Sequence, residues 1–391
     1  MTAGEAAVTP RRVLRPLIVT TALVTILALL FGVPWWTLVA APAWPSPIAA
    51  VGGAVFVATV VAFPFLMFLG HGRRADWAAR VGDTVLGVVW VLFAWSVLGT
   101  LLRAALALGG VADPLRSRVV AGSVAAVSLV LLLWGYAEAM RVPRVRRVDV
   151  VLDRLGTGLD GLRVALLTDT HYGPIDRARW SRAVTAAVNG LDADVVCHTG
   201  DIADGSVEAR REQSAPLGDV RAGLVRAYVT GNHEYFGEAQ GWLDRMRELG
   251  WEPLHNRHLV VERGGDRLVI AGVDDITAAS SGRPGHGEDL TAALAGADPD
   301  LPVLLLAHQP KQVRTAAASG VDLQISGHTH GGQIWPFHYL VRVDQPTVFG
   351  LSRHGARTQL YTSRGTGFWG PPFRVFAPSE ITLLTLRAPA A

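Results

Sequence analysis

Cysteine and lysine are almost absent from this 391-residue chain, which has one of each, Cys197 and Lys311. A single cysteine excludes an intrachain disulfide and any cysteine-based zinc cluster. Cys197 lies in the apolar run 193–199, where a small buried residue is the expected role. The single lysine reads as composition bias, because arginine supplies the rest of the positive charge. Charge itself is missing from one long tract: the 57 positions between Arg15 and Arg73 contain no Asp, Glu, Lys or Arg. An apolar crossing needs roughly 20 residues, so this tract accommodates two membrane spans. Pro34, Trp35, Trp36 and the prolines at 42–47 mark the turn between them, with tryptophans where a membrane interface places them.

Two more uncharged runs, 84–102 and 119–137, are each 19 residues long. Residues 1–140 therefore read as a transmembrane region with four spans, at about 17–36, 48–70, 84–102 and 119–137. Val39-Ala40-Ala41 resembles a signal-peptidase site after the first span, but cleavage there would not change the side on which the later residues end. Orientation follows from arginine. Arg11, Arg12, Arg15, Arg73, Arg74, Arg80, Arg141, Arg144, Arg146 and Arg147 fall on one side, against Arg103, Arg116 and Arg118 on the other. The expectation is a multi-pass cell-membrane protein whose large carboxy-terminal domain is cytoplasmic.

The same arginines explain the net charge of +3. Residues 1–140 hold nine arginines against five acids, 141–147 add four arginines, and the remainder has 23 basic against 28 acidic residues. The basic character belongs to the membrane flanks, where it suits anionic headgroups. Nucleic acid is not implied as a partner.

After a basic linker at 141–147, residues 148–391 read as one α/β domain. Apolar runs of strand length recur at 163–168, 194–199, 226–230, 268–273, 303–307 and 321–326, and helical spacing appears at 180–188, 240–249 and, more weakly, 312–318. The polar residues fall in a telling place. Asp169-Thr170-His171, Gly200-Asp201-Ile202-Ala203-Asp204, Gly231-Asn232-His233-Glu234, His308 and Gly327-His328-Thr329-His330-Gly331-Gly332 each come directly after a strand-like run. Side chains at strand ends of a layered α/β fold converge on one edge of the sheet. Each motif alone is common, but five in order supply carboxylate, imidazole and amide ligands for hard or borderline divalent metals.

These motifs resemble those of the calcineurin-like metallophosphoesterase superfamily: D-x-H, G-D-x-x-D, G-N-H-[ED], a lone H and G-H-x-H. Leu159-Asp160-Gly161-Leu162-Arg163 and the stretch 326–334 look like the superfamily's membrane-associated bacterial branch, although Thr170 stands where that branch more often has an apolar residue. The resemblance implies a four-layer αββα sandwich preceded by the four-helix transmembrane region. It implies two divalent metal ions (Mn, Fe or Zn), one held by Asp169, His171 and His330, the other by Asn232, His308 and His328, with Asp201 bridging. It further implies phosphoester hydrolysis by a metal-bridging hydroxide, with His233 protonating the leaving oxygen and Asp204 hydrogen-bonded to that imidazole.

The expected function is therefore that of a membrane-anchored phosphohydrolase acting on a phosphodiester or pyrophosphate bond, in a substrate that is lipid-linked. The alternatives are a protein Ser/Thr or soluble-nucleotide phosphatase and a catalytically silent membrane sensor or scaffold. His198 is expected to be a packed or surface histidine, Glu234 to brace its loop, and His338 and His354 receive no role. Trp335-Pro336-Phe337-His338-Tyr339 and Phe368-Trp369-Gly370-Pro371-Pro372-Phe373 form either a small core under a turn or a membrane-facing rim.

Overall fold

A computed structural model describes residues 10–389, with the backbone alone for 10–17, so the side chains of Arg11, Arg12 and Arg15 lie outside the described residues. Four long helices come first: α1 (Pro10–Trp35), α2 (Ser46–Met67), α3 (Asp76–Leu108) and α4 (Leu115–Met140). The four apolar stretches are Ile18–Ala40, Ser46–Gly72, Asp76–Leu108 and Leu115–Met140, each long enough to cross a membrane. They exceed the uncharged runs because helix continues through flanking charges such as Asp76, Asp83 and Arg103. At 1.5 Å per residue, the 33-residue α3 is about 50 Å long, more than the roughly 30 Å of hydrocarbon it would cross. Large apolar side chains including Ile18, Val51, Leu101 and Leu133 are exposed on these helices. A continuous apolar surface of that extent suits lipid and not water. Within this bundle Leu30, Phe31, Phe63 and Val89 pack together.

The carboxy-terminal domain begins earlier than expected. The basic segment 141–147 is not simply a linker, because its arginines open strand β1 (Arg144–Val151). In the first sheet β1 lies beside β12 (Glu380–Arg387), followed by β2 (Leu162–Leu167), β3 (Val195–His198), β4 (Val225–Tyr228) and β5 (Glu252–Pro253). β12 runs parallel to β1 and antiparallel to β2, while β2 to β5 are mutually parallel. The second sheet has the order β10 (Gly350–His354), β11 (Thr358–Thr362), β9 (Leu323–Ser326), β8 (Val303–Leu306), β7 (Asp266–Gly272) and β6 (Arg257–Arg263). Its inner strands β11, β9, β8 and β7 are parallel.

Alternation along the strands builds the layers. Val164 and Leu166 face one core with Val195, Cys197, Ile270, Leu304, Leu306 and Ile325, so this core lies between the sheets. Ala165, Leu167 and Val196 face outward against α5 (Ala178–Asn189) and α8 (Ala239–Glu248), through Trp180, Val184, Trp242 and Met246. On the far side Val269, Ala271 and Leu305 pack under α9 (Leu290–Leu294) and α10 (Val313–Ala318). The result is the αββα sandwich, with α6 (Val207–Ser214), α7 (Asn232–Phe236) and α11 (His338–Asp344) in the connecting segments. Cys197 is buried in the inter-sheet core, and burial pushes its thiol pKa up.

The inter-sheet core should dominate stability. Leu166→Ala removes a fully buried side chain from it and should cost about 2–5 kcal/mol. A clear drop in melting temperature of the detergent-solubilised chain is expected, whereas an unchanged melting temperature would place Leu166 outside a continuous core.

Candidate metal centre

Parallel pairing of β2, β3 and β4 brings their carboxy-terminal ends to one edge, and β8 and β9 do the same in the other sheet. All five motifs follow these strands. The loops are knitted by backbone bonds: Asp169 N–H to the Gly200 carbonyl (3.0 Å), His171 N–H to Asp201 (3.2 Å) and Gly327 N–H to His308 (3.0 Å). The turns are sharp. Asp169, His171, Asp201, His328 and His330 all have positive φ, five of the eleven such non-glycine residues among those described. That conformation is uncommon outside glycine and concentrates at functional sites. Glycine is required where the loops touch: a Cβ on Gly327 would lie 2.1 Å from Asp169 Oδ2, and one on Gly231 would lie 2.2 Å from Asp201 Oδ1.

The seven expected ligand residues come together. Asp169, His171 and His330 form one group whose donor atoms lie within 4.8 Å of one another, and Asp201, His308 and His328 form a second. His171 Nε2 is 3.1 Å from His330 Nε2, and His330 Nε2 is 3.4 Å from Asp169 Oδ1. Asn232 Oδ1 is 2.9 Å from His328 Nδ1 and 3.1 Å from His308 Nε2. Asp201 Oδ2 faces both groups, 3.5 Å from His171 Nε2 and 3.2 Å from His308 Nε2.

The donor chemistry fits a cation. His308 Nδ1 is 2.7 Å from the Thr199 carbonyl, to which it can only donate. A neutral His308 therefore turns a lone pair at Nε2 toward two oxygens that are themselves acceptors. His171 repeats the pattern, with Nδ1 3.1 Å from Asp204 Oδ1 and Nε2 directed at His330. A second-layer oxygen that fixes the tautomer is the usual support for a metal-ligating imidazole. Burial disfavours a charged His308, yet Asp201 more than offsets it and holds the ring well above its ordinary pKa. The pocket calls for positive charge, and without thiolates its N/O donors suit hard or borderline divalent ions.

His233 stands at the edge of this cluster. Its Nδ1 is 2.6 Å from Asp204 Oδ1 and its Nε2 3.9 Å from Asp201 Oδ2. Burial would lower its pKa, but the Asp201 and Asp204 carboxylates reverse this and raise it to about 9. Asp204 is thus more than a partner of His233, because it touches His171 as well, and the two imidazoles hold its carboxyl below the usual range despite burial. Phe236 and Trp369 flank the His233 ring at 5.2 and 6.0 Å between centroids.

Glu234 braces the loops, as expected. Oε2 accepts from Gly231 N–H (2.6 Å) and Asp201 N–H (2.9 Å), and Oε1 from Ile202 N–H (2.8 Å). His198 is packed: its Nδ1 accepts from Gly200 N–H and its Nε2 faces the Thr170 hydroxyl, so Thr170 turns away from the ligand cluster. His354 bonds to Ser352 on its own strand, and His338 stacks on Tyr339. Two supports escaped sequence reasoning. Thr168 Oγ1 donates to Asp169 Oδ2 (2.8 Å). Arg374, fully buried, donates to the His330 carbonyl (2.9 Å) and lies 3.2 Å from His330 Nδ1. It stands alone between aromatic and small residues, with no motif to mark it.

A family model for calcineurin-like phosphoesterase matches residues 162–332. A Danio rerio transmembrane protein with metallophosphoesterase domain is 35% identical over 365 residues, covering 89% of this chain and 82% of that protein. The chain belongs to the metallophosphoesterase family. A bovine protein of the same description is 38% identical over 272 residues, 67% of this chain and 61% of its own length. An uncharacterized metallophosphoesterase of Helicobacter pylori is 36% identical over 253 residues, 64% of this chain and 66% of its own. Vertebrate relatives thus stand beside bacterial ones, so the likeness is not to a bacterial branch alone. This metallophosphoesterase is a metal-dependent hydrolase of phosphoric esters carried on a membrane protein.

Removing the Glu234 brace should show in metal retention. Glu234→Ala leaves three buried N–H groups without their acceptor, at about 1–3 kcal/mol each. Elemental analysis of the purified variant should find a lower metal content together with a lower melting temperature; full metal content would contradict the bracing role.

Proposed function

We propose that the chain hydrolyses a phosphodiester or pyrophosphate bond in a lipid-linked substrate, at the cytoplasmic face of the cell membrane. The observation that carries the hydrolytic part is Asp201, whose Oδ2 faces His171 and His308 of the two ligand groups at 3.5 and 3.2 Å. In this reading Asp169, His171 and His330 hold one divalent ion, Asn232, His308 and His328 hold a second, and Asp201 is shared. Such a pair of ions, Mn, Fe or Zn, supplies an activated water and neutralises the phosphoryl oxygens.

The remaining work falls to side chains. Asp204 at Nδ1 favours the protonated form of His233, whose Nε2 can then give a proton to the leaving oxygen. Asp204 holds His233 at Nδ1, which leaves Nε2 to face substrate, and it fixes the His171 ring at the same time. Thr168 and the His328 N–H orient the Asp169 carboxylate, the latter at 3.0 and 3.1 Å from its two oxygens.

The lipid part rests on the aromatic segments. Arg374 N–H bonds to the Gly135 carbonyl (2.9 Å), Trp134 meets Phe376 at 5.6 Å and Tyr136 meets Phe373 at 6.3 Å. The loop that carries Trp369 therefore lies against the closing turns of α4, the fourth membrane helix. Trp335 N–H bonds to Val375 and leads into α11, where none of the residues is buried and Tyr339, Leu340 and Val343 are exposed. Exposed apolar side chains such as these are what a lipid tail would need.

The chemistry is tested by His233→Asn. Turnover of bis-p-nitrophenyl phosphate should fall by about 10²–10⁴-fold with bound metal unchanged; undiminished turnover would remove His233 from the reaction. Compared in one detergent, lipid pyrophosphates should outrun soluble nucleotides and phosphopeptides, and equal rates would sink the lipid assignment. For topology, a cysteine introduced at the exposed Pro389 of a Cys197→Ser chain should react with an impermeant maleimide only after the cells are opened. Labelling of intact cells would reverse the orientation.

A further inference from the structure

A separate cluster uses none of these residues. His255, Asp274 and His286 bring two imidazoles and a carboxylate together, with donor atoms within 4.8 Å of one another. They come from three segments: His255 follows β5, Asp274 follows β7, and His286 lies in the loop before α9. Asp274 is buried, and each of its oxygens faces one ring. Oδ1 is 2.6 Å from His255 Nδ1, and Oδ2 is 3.8 Å from His286 Nδ1. The rings are 4.7 Å apart.

The surrounding backbone holds this arrangement in place. Gly287 N–H donates to Asp274 Oδ2 (3.0 Å), and Asn256 Oδ1 accepts from both Asp274 N–H and Asp289 N–H at 3.1 Å. Asn256 Nδ2 in turn donates to the Gly287 carbonyl. One amide side chain thus pins the His255 loop to the His286 loop, with the carboxylate between them. Such bracing exceeds what a surface ion pair needs.

We propose that His255, Asp274 and His286 bind a single borderline divalent cation, of which zinc is the type, at a site distinct from the Asp201 centre. Two imidazoles and a carboxylate are a donor set zinc accepts, with a fourth position left for water. Tetrahedral donors around zinc lie roughly 3.3 Å apart. The separations of 2.6 and 3.8 Å are to different oxygens of Asp274, so the carboxylate must turn to offer one oxygen beside both rings, whose donor atoms already lie within 4.8 Å of it. Binding releases to solvent the proton that His255 Nδ1 now shares with Asp274. It also frees the Tyr235 hydroxyl, 3.1 Å from His286 Nδ1, to hydrogen-bond to the bound water. Tyr235 belongs to α7 with Asn232 and His233, so an ion here ties the loop beyond β7 to the helix that carries the hydrolytic groups.

Full-length protein in detergent is loaded with zinc, desalted and analysed for metal per chain. His255→Gln and His286→Gln should each hold one zinc fewer than the unaltered chain. Combined with Asp201→Asn, the loss should add to whatever that substitution removes alone. Equal zinc in the unaltered chain and both variants overturns the proposal, and the alternative is then a His255–Asp274 ion pair without metal. A measurement that needs no variant runs beside it. Anomalous diffraction at the zinc edge from the loaded, unaltered chain should give a peak between the three side chains, and its absence overturns the site equally.

Discussion

The phosphoesterase centre depends on one carboxylate turned toward several imidazoles. Asp201 meets His171 and His308 through one oxygen, while its other oxygen accepts the His233 N–H at 2.9 Å. Because the rings around it have their far nitrogens committed to Thr199 and Asp204, their near nitrogens are acceptors whenever the rings are neutral, as metal ligation requires. A cluster of lone pairs is unfavourable on its own and favourable around positive charge. The cost of assembling it is spread through the fold. Strained left-handed turns follow β2, β3 and β9, and Glu234 ties two of the motif loops together through three amide protons.

The strands explain why this arrangement can be held. Parallel neighbours end at the same edge, so loops far apart in the chain emerge side by side. Inter-sheet packing by Leu166, Leu304 and Ile325 fixes the two edges against each other, and residues of both sheets then reach one space. A shift of one residue in any of these strands would turn its ligand loop away and expose its core side chains. Core and site are thereby specified by the same register.

Much of this was legible in the sequence. The six apolar runs correspond to β2, β3, β4, β7, β8 and β9, because buried parallel strands read as continuous Val/Leu/Ile segments. The seven expected ligand positions stand out because each follows such a run. The edge strands β1, β6 and β10 do not, since Arg144, Arg146 and Arg147 in β1, Arg257 in β6 and Arg353 in β10 make them look like loops. The basic segment looks like a linker for the same reason: Arg144, Arg146 and Arg147 lie on a strand whose outer positions are exposed. Arg374 was invisible because a buried guanidinium bonded to carbonyls depends on tertiary contacts that no local pattern encodes. The second contact of Asp204, to His171, was hidden in the same way.

The position of β12 carries a consequence for biogenesis. This strand fills the gap between β1 and β2, and Leu384 pairs with Val164, 220 positions earlier. While the chain is being made, β2 must wait for that partner with one edge open, after the membrane helices have already left the ribosome. Pairing across so long a separation is slow, and an open edge is prone to wrong partners. The carboxy-terminal domain therefore matures while tethered to the apolar helices that precede it in the chain. Strand β2, which leads into Asp169, has both of its neighbours only once residues 380–387 have been synthesised and inserted.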